Sequence, residues 1–219
     1  MSIEQHVYAT ARAGLPYLYA PALGHSTAAP LVVFLHGAKD RGNDLSKLLA
    51  WGFPKYVNDN APLPYYWLAL QIPEGTTWPE WQEELFALID KIRAVHDIDR
   101  VVLSGFSLGS AGVWQIASRH PERFAAVVAV SGRVPEAVGE SGLAALRRTP
   151  VWVFHGDADD KAPVAGAASA VSTLQALGAP AQLTLIPGGD HFIADEVYGS
   201  EELQAWLVSV RAGAAVATV

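Results

Sequence analysis

The chain has 219 residues, 51% hydrophobic and 17% charged, and a composition this apolar excludes intrinsic disorder because it can bury a sizeable core. Its 22 acidic and 15 basic residues give a formal net charge of -7 with no basic run, which argues against nucleic acid and anionic membrane surfaces as partners. The absence of cysteine excludes disulfides, thiolate metal sites and a cysteine nucleophile.

The first residues, MSIEQHVYATARAG, lack the charged-then-apolar pattern of a signal peptide. No apolar run approaches the roughly 20 residues needed to span a bilayer. A cytoplasmic protein without membrane insertion is expected, organised as one α/β domain over residues 1–219.

Taken in chain order, Tyr17 to Ala20 reads as an antiparallel edge strand and Leu31 to Leu35 as the first buried strand. Further strands are expected at Tyr66 to Leu70, Val101 to Leu103, Ala126 to Val130, Val151 to Phe154 and Gln182 to Ile186. These are short, continuous apolar runs, the pattern of strands covered on both faces. Between them, Trp81, Leu85, Leu88, Ile89, Ile92 and Val95 recur at helical spacing. Leu108 to Arg119 is a second helix, stopped before Pro121, Val164 to Leu177 a third, and Glu201 to Arg211 a fourth. The tail from Ala212 to Val219 reads as a frayed helix end or a small packing segment. This alternation predicts a three-layer α/β fold with a mainly parallel sheet, helices on both faces and no large cap domain. Ligands in such sheets sit beyond the C-terminal strand ends, so the loops that follow the strands carry the functional information.

After the strand ending at Leu103 comes Gly105-Phe106-Ser107-Leu108-Gly109, a G-x-S-x-G turn leading into a helix. Such a turn lifts the serine above the sheet, and its glycines relieve crowding. Ser107 is therefore the expected nucleophile. The loop after Leu35, His36-Gly37-Ala38-Lys39-Asp40-Arg41-Gly42, can aim a backbone N–H at a developing oxyanion. Ala38 is the candidate first donor, and the N–H of Leu108, directly after the nucleophile, is the second. His36 is expected to hold loop backbone rather than act as a base, and Arg41 to order the same loop. After Phe154, His155 is read as a packed strand-end residue, and Asp157, Asp159 and Asp160 compete for the role of triad acid. Asp159 is the chosen acid; Asp157 is expected to shape the turn and Asp160 to face solvent or cap the turn before Pro163. After Ile186, Pro187-Gly188-Gly189-Asp190-His191-Phe192 brings a histidine beside glycines, and His191 is the expected base.

These segments resemble the α/β-hydrolase superfamily from about Leu31 to Trp206. Within it they are most similar to the compact phospholipase/carboxylesterase and polyhydroxybutyrate-depolymerase-like esterases. The pointers are FLHGAKDRGND, QIPEGTTW, GFSLGSAGVWQIASRHPERF and VFHGDADD. The resemblance implies Ser107 as nucleophile, Asp159 as acid, His191 as base, and the backbones of Ala38 and Leu108 as oxyanion donors. The chain departs from many relatives at Ser110, where a second glycine is common, and at Asp160-Lys161.

The implied activity is serine carboxylic ester hydrolysis of small to medium acyl esters through an acyl-enzyme, with a small-molecule ester as substrate and with no cofactor and no metal. A thioesterase or serine peptidase using the same triad is the alternative, and a non-catalytic binding protein of this fold is a third reading. Trp51 and Phe53, in the loop-like stretch Trp51 to Tyr56, and Trp78 are candidates for an apolar substrate cleft, Trp78 suiting the core equally well, while Trp81 is assigned to the core.

Overall fold

A computed structural model describes residues 3–24 and 28–211. The C-terminal segment from Ala212 lies outside the described residues. Eight strands form one sheet in the order β1-β2-β4-β3-β5-β6-β7-β8. They are β1 (Glu4–Ala9), β2 (Gly14–Ala20), β3 (Ala29–Leu35), β4 (Tyr66–Leu70), β5 (Ile98–Phe106), β6 (Ala126–Val130), β7 (Val151–Gly156) and β8 (Ala181–Ile186). β1 and β2 pair antiparallel, as do β2 and β4, and all other pairs are parallel.

The helices are α1 (Ser46–Leu49), α2 (Gly52–Asn60), α3 (Gln82–Arg93), α4 (Leu108–Arg119), α5 (Gly139–Ala145), α6 (Ala165–Ala176), α7 (Ala194–Gly199) and α8 (Glu201–Ser209). Strand periodicity divides the core in two. Leu31, Val33 and Leu35 of β3 pack with Leu85, Val113, Trp114 and Val171 from α3, α4 and α6. Val32 and Phe34 point the other way, into a cluster with Phe53, Val57, Tyr198 and Leu207 from α2, α7 and α8. Residues two apart share a face, so each continuous apolar run feeds both layers.

Three expectations are revised. The edge strand is β1, not the segment at Tyr17 to Ala20, which pairs on both sides. β1 is nearly all solvent-exposed, so no apolar alternation marks it. Second, β5 extends on both sides of Val101 to Leu103, through the turn's first glycine. Third, Trp51 to Tyr56 is not a loop. Trp51 precedes α2, and Pro54 sits in the first helical turn, where its missing N–H has no intrahelical acceptor to lose. The segment between β6 and β7 holds one 3-10 turn (Glu136–Val138) and one short α-helix, α5, whose Leu143 packs into the core, so among the described residues no cap domain is inserted there. Among the described residues, no helix is long and apolar enough to cross a membrane.

Candidate active site

The turn between β5 and α4 is built by close packing. Ser107 adopts φ 55 and ψ -111, a conformation rare for a side-chain-bearing residue, and its N–H donates to the carbonyl of Val130. A Cβ on Gly105 would lie 2.5 Å from the carbonyl carbon of Gly109, and a Cβ on Gly109 would lie 1.8 Å from the carbonyl oxygen of Leu35. Both glycines of the G-x-S-x-G turn are thus required sterically. They let α4 pass against the end of β3 and hold Ser107 at the head of the helix. The free N–H groups and positive dipole end of a helix N-terminus then face the site.

The loops after β7 and β8 are fastened to each other. Ala158 N–H donates to Gly189 O at 3.0 Å, Asp157 N–H donates to Ile186 O, and Gly188 N–H donates to the Asp157 carboxylate at 2.7 Å. A Cβ on Gly156 would meet Gly189 O at 2.2 Å. This contact brings Asp159 and His191 together. His191 Nδ1 lies 2.8 Å from Asp159 Oδ2, and His191 Nε2 lies 2.9 Å from Ser107 Oγ. With Nδ1 donating to the carboxylate, Nε2 is left as an acceptor for the serine hydroxyl.

Asp159 is buried, and its other oxygen accepts N–H bonds from Lys161 at 2.8 Å and Ala162 at 2.9 Å. Burial opposes its ionisation, but the Ala162 N–H, the His191 ring and the Lys161 N–H together outweigh burial and hold the carboxyl below its ordinary value. Asp157 bonds across to the β8 loop, and Asp160 is exposed beside Lys161, so of the three competing carboxylates only Asp159 meets His191. His155 is fully buried. Its Nε2 donates to Ala162 O at 2.6 Å and stands 3.3 Å from Asp159 Oδ2, bracing the acid loop.

His36 is also fully buried, with Nδ1 donating to Gly37 O at 2.8 Å and Nε2 accepting the N–H of Ile72 at 3.1 Å. Burial is the main reason its pKa falls to about 4; the Gly37 carbonyl opposes the shift. It anchors the loop that presents Ala38. Arg41 holds that loop too, by donating to the carbonyls of Ala38 and Thr76 rather than through an ion pair.

Ser107, Leu108, His191 and Ala38 line one cleft of about 430 Å³. Trp51 lines it as well, its ring edge-on to Phe106 at 4.7 Å and its Nε1 donating to Asp40. Burial pushes the Asp40 carboxyl above its ordinary value, against the Trp51 hydrogen bond.

Phe53 and Trp78 are not in the cleft. Phe53 has no exposed surface and stacks on Tyr198 at 4.3 Å and 6°. Truncating so large a buried ring costs about 3–5 kcal/mol in other cores. Trp78 is equally buried. It donates Nε1 to His36 O at 3.1 Å and rests against α4 where Gly112 leaves room. Trp81 is in the core as expected. Sequence reasoning missed Phe106, Phe192, Lys39, Arg133 and Lys161 as cleft residues. Phe106 ends β5 and the other four follow strands, and three of the five adjoin Ser107, His191 or Ala38 in the chain. Ser110 is fully buried, and a Cβ on Gly132 would lie 2.2 Å from Ser110 Cβ, so this glycine makes room for the Ser110 side chain.

A family model described as alpha/beta hydrolase fold matches residues 73–196. NocK of Nocardia uniformis subsp. tsuyamanensis, a provisionally named esterase, is 33% identical over 97 residues, which is 42% of this chain and 27% of that protein. A protein of Mycobacterium phage D29, provisionally named a non-heme haloperoxidase, is 35% identical over 106 residues, 47% of this chain and 35% of that protein. The matched stretches thus span about a third or less of these curated relatives. The crystal structure of a thermostable esterase superposes with a TM-score of 0.78 at 24% identity, covering 94% of this chain and 62% of that one.

Proposed function

Because the chain belongs to the α/β-hydrolase fold family, we propose that it is a serine carboxylic ester hydrolase acting on small to medium acyl esters. The observation that carries this reading is the unbroken chain from Ser107 Oγ to His191 Nε2, 2.9 Å, and from His191 Nδ1 to Asp159 Oδ2, 2.8 Å.

In the proposed reaction Ser107 Oγ attacks the ester carbonyl as its proton passes to His191 Nε2. The negative oxygen that forms is held by the backbone N–H groups of Ala38 and Leu108. Asp159 keeps the imidazole oriented and stabilises its protonated form. The C–O bond to the alcohol then breaks, and the alcohol takes the proton from His191. Water, activated by His191, hydrolyses the acyl-enzyme and restores Ser107. The apolar wall of Trp51, Phe106 and Phe192 suits an acyl chain, and the open cleft suits soluble esters.

Hydrolysis of a p-nitrophenyl ester series from acetyl to palmitoyl, with wild type and Ser107→Ala side by side, tests this. We expect turnover by wild type, best at short to medium chains, and a loss of roughly a thousandfold or more in the variant. Equal rates for the two proteins, or no turnover of any ester, would sink the reading.

A further inference from the structure

We propose that the cleft contains a cationic subsite, formed by Arg133, Lys39 and Lys161, that binds a carboxylate carried by the substrate at the end of its acyl chain. This inference rests on the ester-hydrolase reading and names the substrate class: half-esters of dicarboxylic acids.

The charge distribution points to it. The whole chain carries -7, yet the wall of the Ser107 cleft carries three cationic side chains and a single carboxylate, that of Asp40. The three cations come from three different strand-end loops, after β3, β6 and β7, so the fold converges them on one cleft. Asp40 pairs with none of them: it is buried and accepts the Trp51 indole N–H, and among the described residues no cation lies within 4 Å of its carboxylate.

The cations are also available. Among the described residues, no carboxylate comes within 4 Å of Lys39 or Arg133. Lys161 has only an exposed contact with Asp160, at 3.4 Å. One Arg133 nitrogen donates to the Lys161 carbonyl at 2.7 Å, which fixes the guanidinium against the acid loop and leaves its remaining donors free. An arginine held by one nitrogen is well suited to receive a planar carboxylate with the others. Lys39 Nζ lies 5.1 Å from the Phe192 ring, whose neighbour is His191, so this charge stands over the apolar wall beside the base. An acyl chain lying along Trp51, Phe106 and Phe192 would share the cleft with these three charges and pass close to Lys39.

Monoethyl adipate and ethyl hexanoate share a six-carbon acyl chain and differ in a terminal carboxylate against a methyl group. We expect wild type to favour monoethyl adipate in kcat/KM, measured by pH-stat. We expect the ratio between the two substrates to fall about tenfold or more in Arg133→Gln/Lys39→Met, the loss of one good charged contact. Arg147→Gln removes one positive charge from an exposed position outside the cleft and should leave the ratio within about twofold, because surface charges beyond the Debye length are screened. A ratio that stays within about twofold of wild type in the double variant overturns the proposal.

Calorimetry on Ser107→Ala with monoethyl adipate keeps the two readings separate, because it needs no turnover. Binding that weakens about tenfold when Arg133→Gln is added, or when NaCl is raised from about 0.05 to 0.5 M, supports the subsite. Binding indifferent to both, or no binding, overturns it. Failure to hydrolyse either ester would count instead against the ester-hydrolase reading.

Discussion

The two ends of the sheet each hold a cleft, and they differ in what their charges do. The cleft at the N-terminal strand ends is the larger, about 540 Å³ against about 430 Å³. Arg93, Arg100, Arg123 and Arg211 line it together with Asp90, Asp99 and Glu122. There two of the arginines are spent on structure: Arg123 pairs with Asp90 at 2.7 Å, and Arg100 is nearly buried between Asp99 and the carbonyl of Val208. At the C-terminal end, backbone strain, tight glycines and a buried carboxylate converge on one serine; among the described residues Lys39 and Arg133 have no carboxylate within 4 Å, and Lys161 has only the exposed Asp160. Cleft size therefore does not mark the site. Convergence of strand-end loops does, because parallel strands all deliver their following residues to the same edge.

The comparison breaks most visibly at Gly109. Its Cβ would collide with backbone, the Leu35 carbonyl, which no rotamer change can relieve. Gly109→Ala should cost more than about 4 kcal/mol or prevent folding, although glycine to alanine within a helix ordinarily stabilises by about 0.5–1 kcal/mol. Gly166→Ala, in α6 with open space around it, should show the ordinary sign. Urea unfolding of both variants decides the matter, and a stable Gly109→Ala protein would show that α4 does not need its close approach to β3.

A smaller effect is expected at His36. Its folded pKa of about 4 lies below the ordinary value of 6.5, so between these values the unfolded chain binds more protons than the folded one. Stability should accordingly fall as pH drops from about 6.5 to about 4, by up to about 3 kcal/mol from this group, and no further below that. Asp159, held below its ordinary value, adds a loss at still lower pH as it becomes protonated. Urea midpoints against pH for wild type and His36→Gln measure the first slope; an unchanged slope in the variant would assign it elsewhere.

The smallest effect belongs to the opposite cleft. Arg123→Gln removes an exposed ion pair and should change stability by less than about 1 kcal/mol and leave ester turnover as it was. A marked loss of turnover would mean that the two ends of the sheet communicate.

The sequence by itself determined the alternation of strands and helices and the loops in which a serine, an aspartate and a histidine follow β5, β7 and β8. Those signals are local: apolar runs, glycines at sharp turns, and chain order. Even the bounds of α4 and of β4 and β6 were legible, since burial on both faces and a helix stop before Pro121 are written in adjacent residues. What only the tertiary structure decided is where individual side chains go. Trp51 and Phe53 are two residues apart, yet one lines the cleft and the other is sealed against Tyr198. β1 carries no apolar alternation and is placed chiefly by its pairing with β2. Lys39, Arg133 and Lys161 line one cleft because three parallel strands end at one edge. Backbone preferences act between neighbours in the chain, whereas packing and charge act between neighbours in space, and here those neighbours come from opposite ends of the sequence.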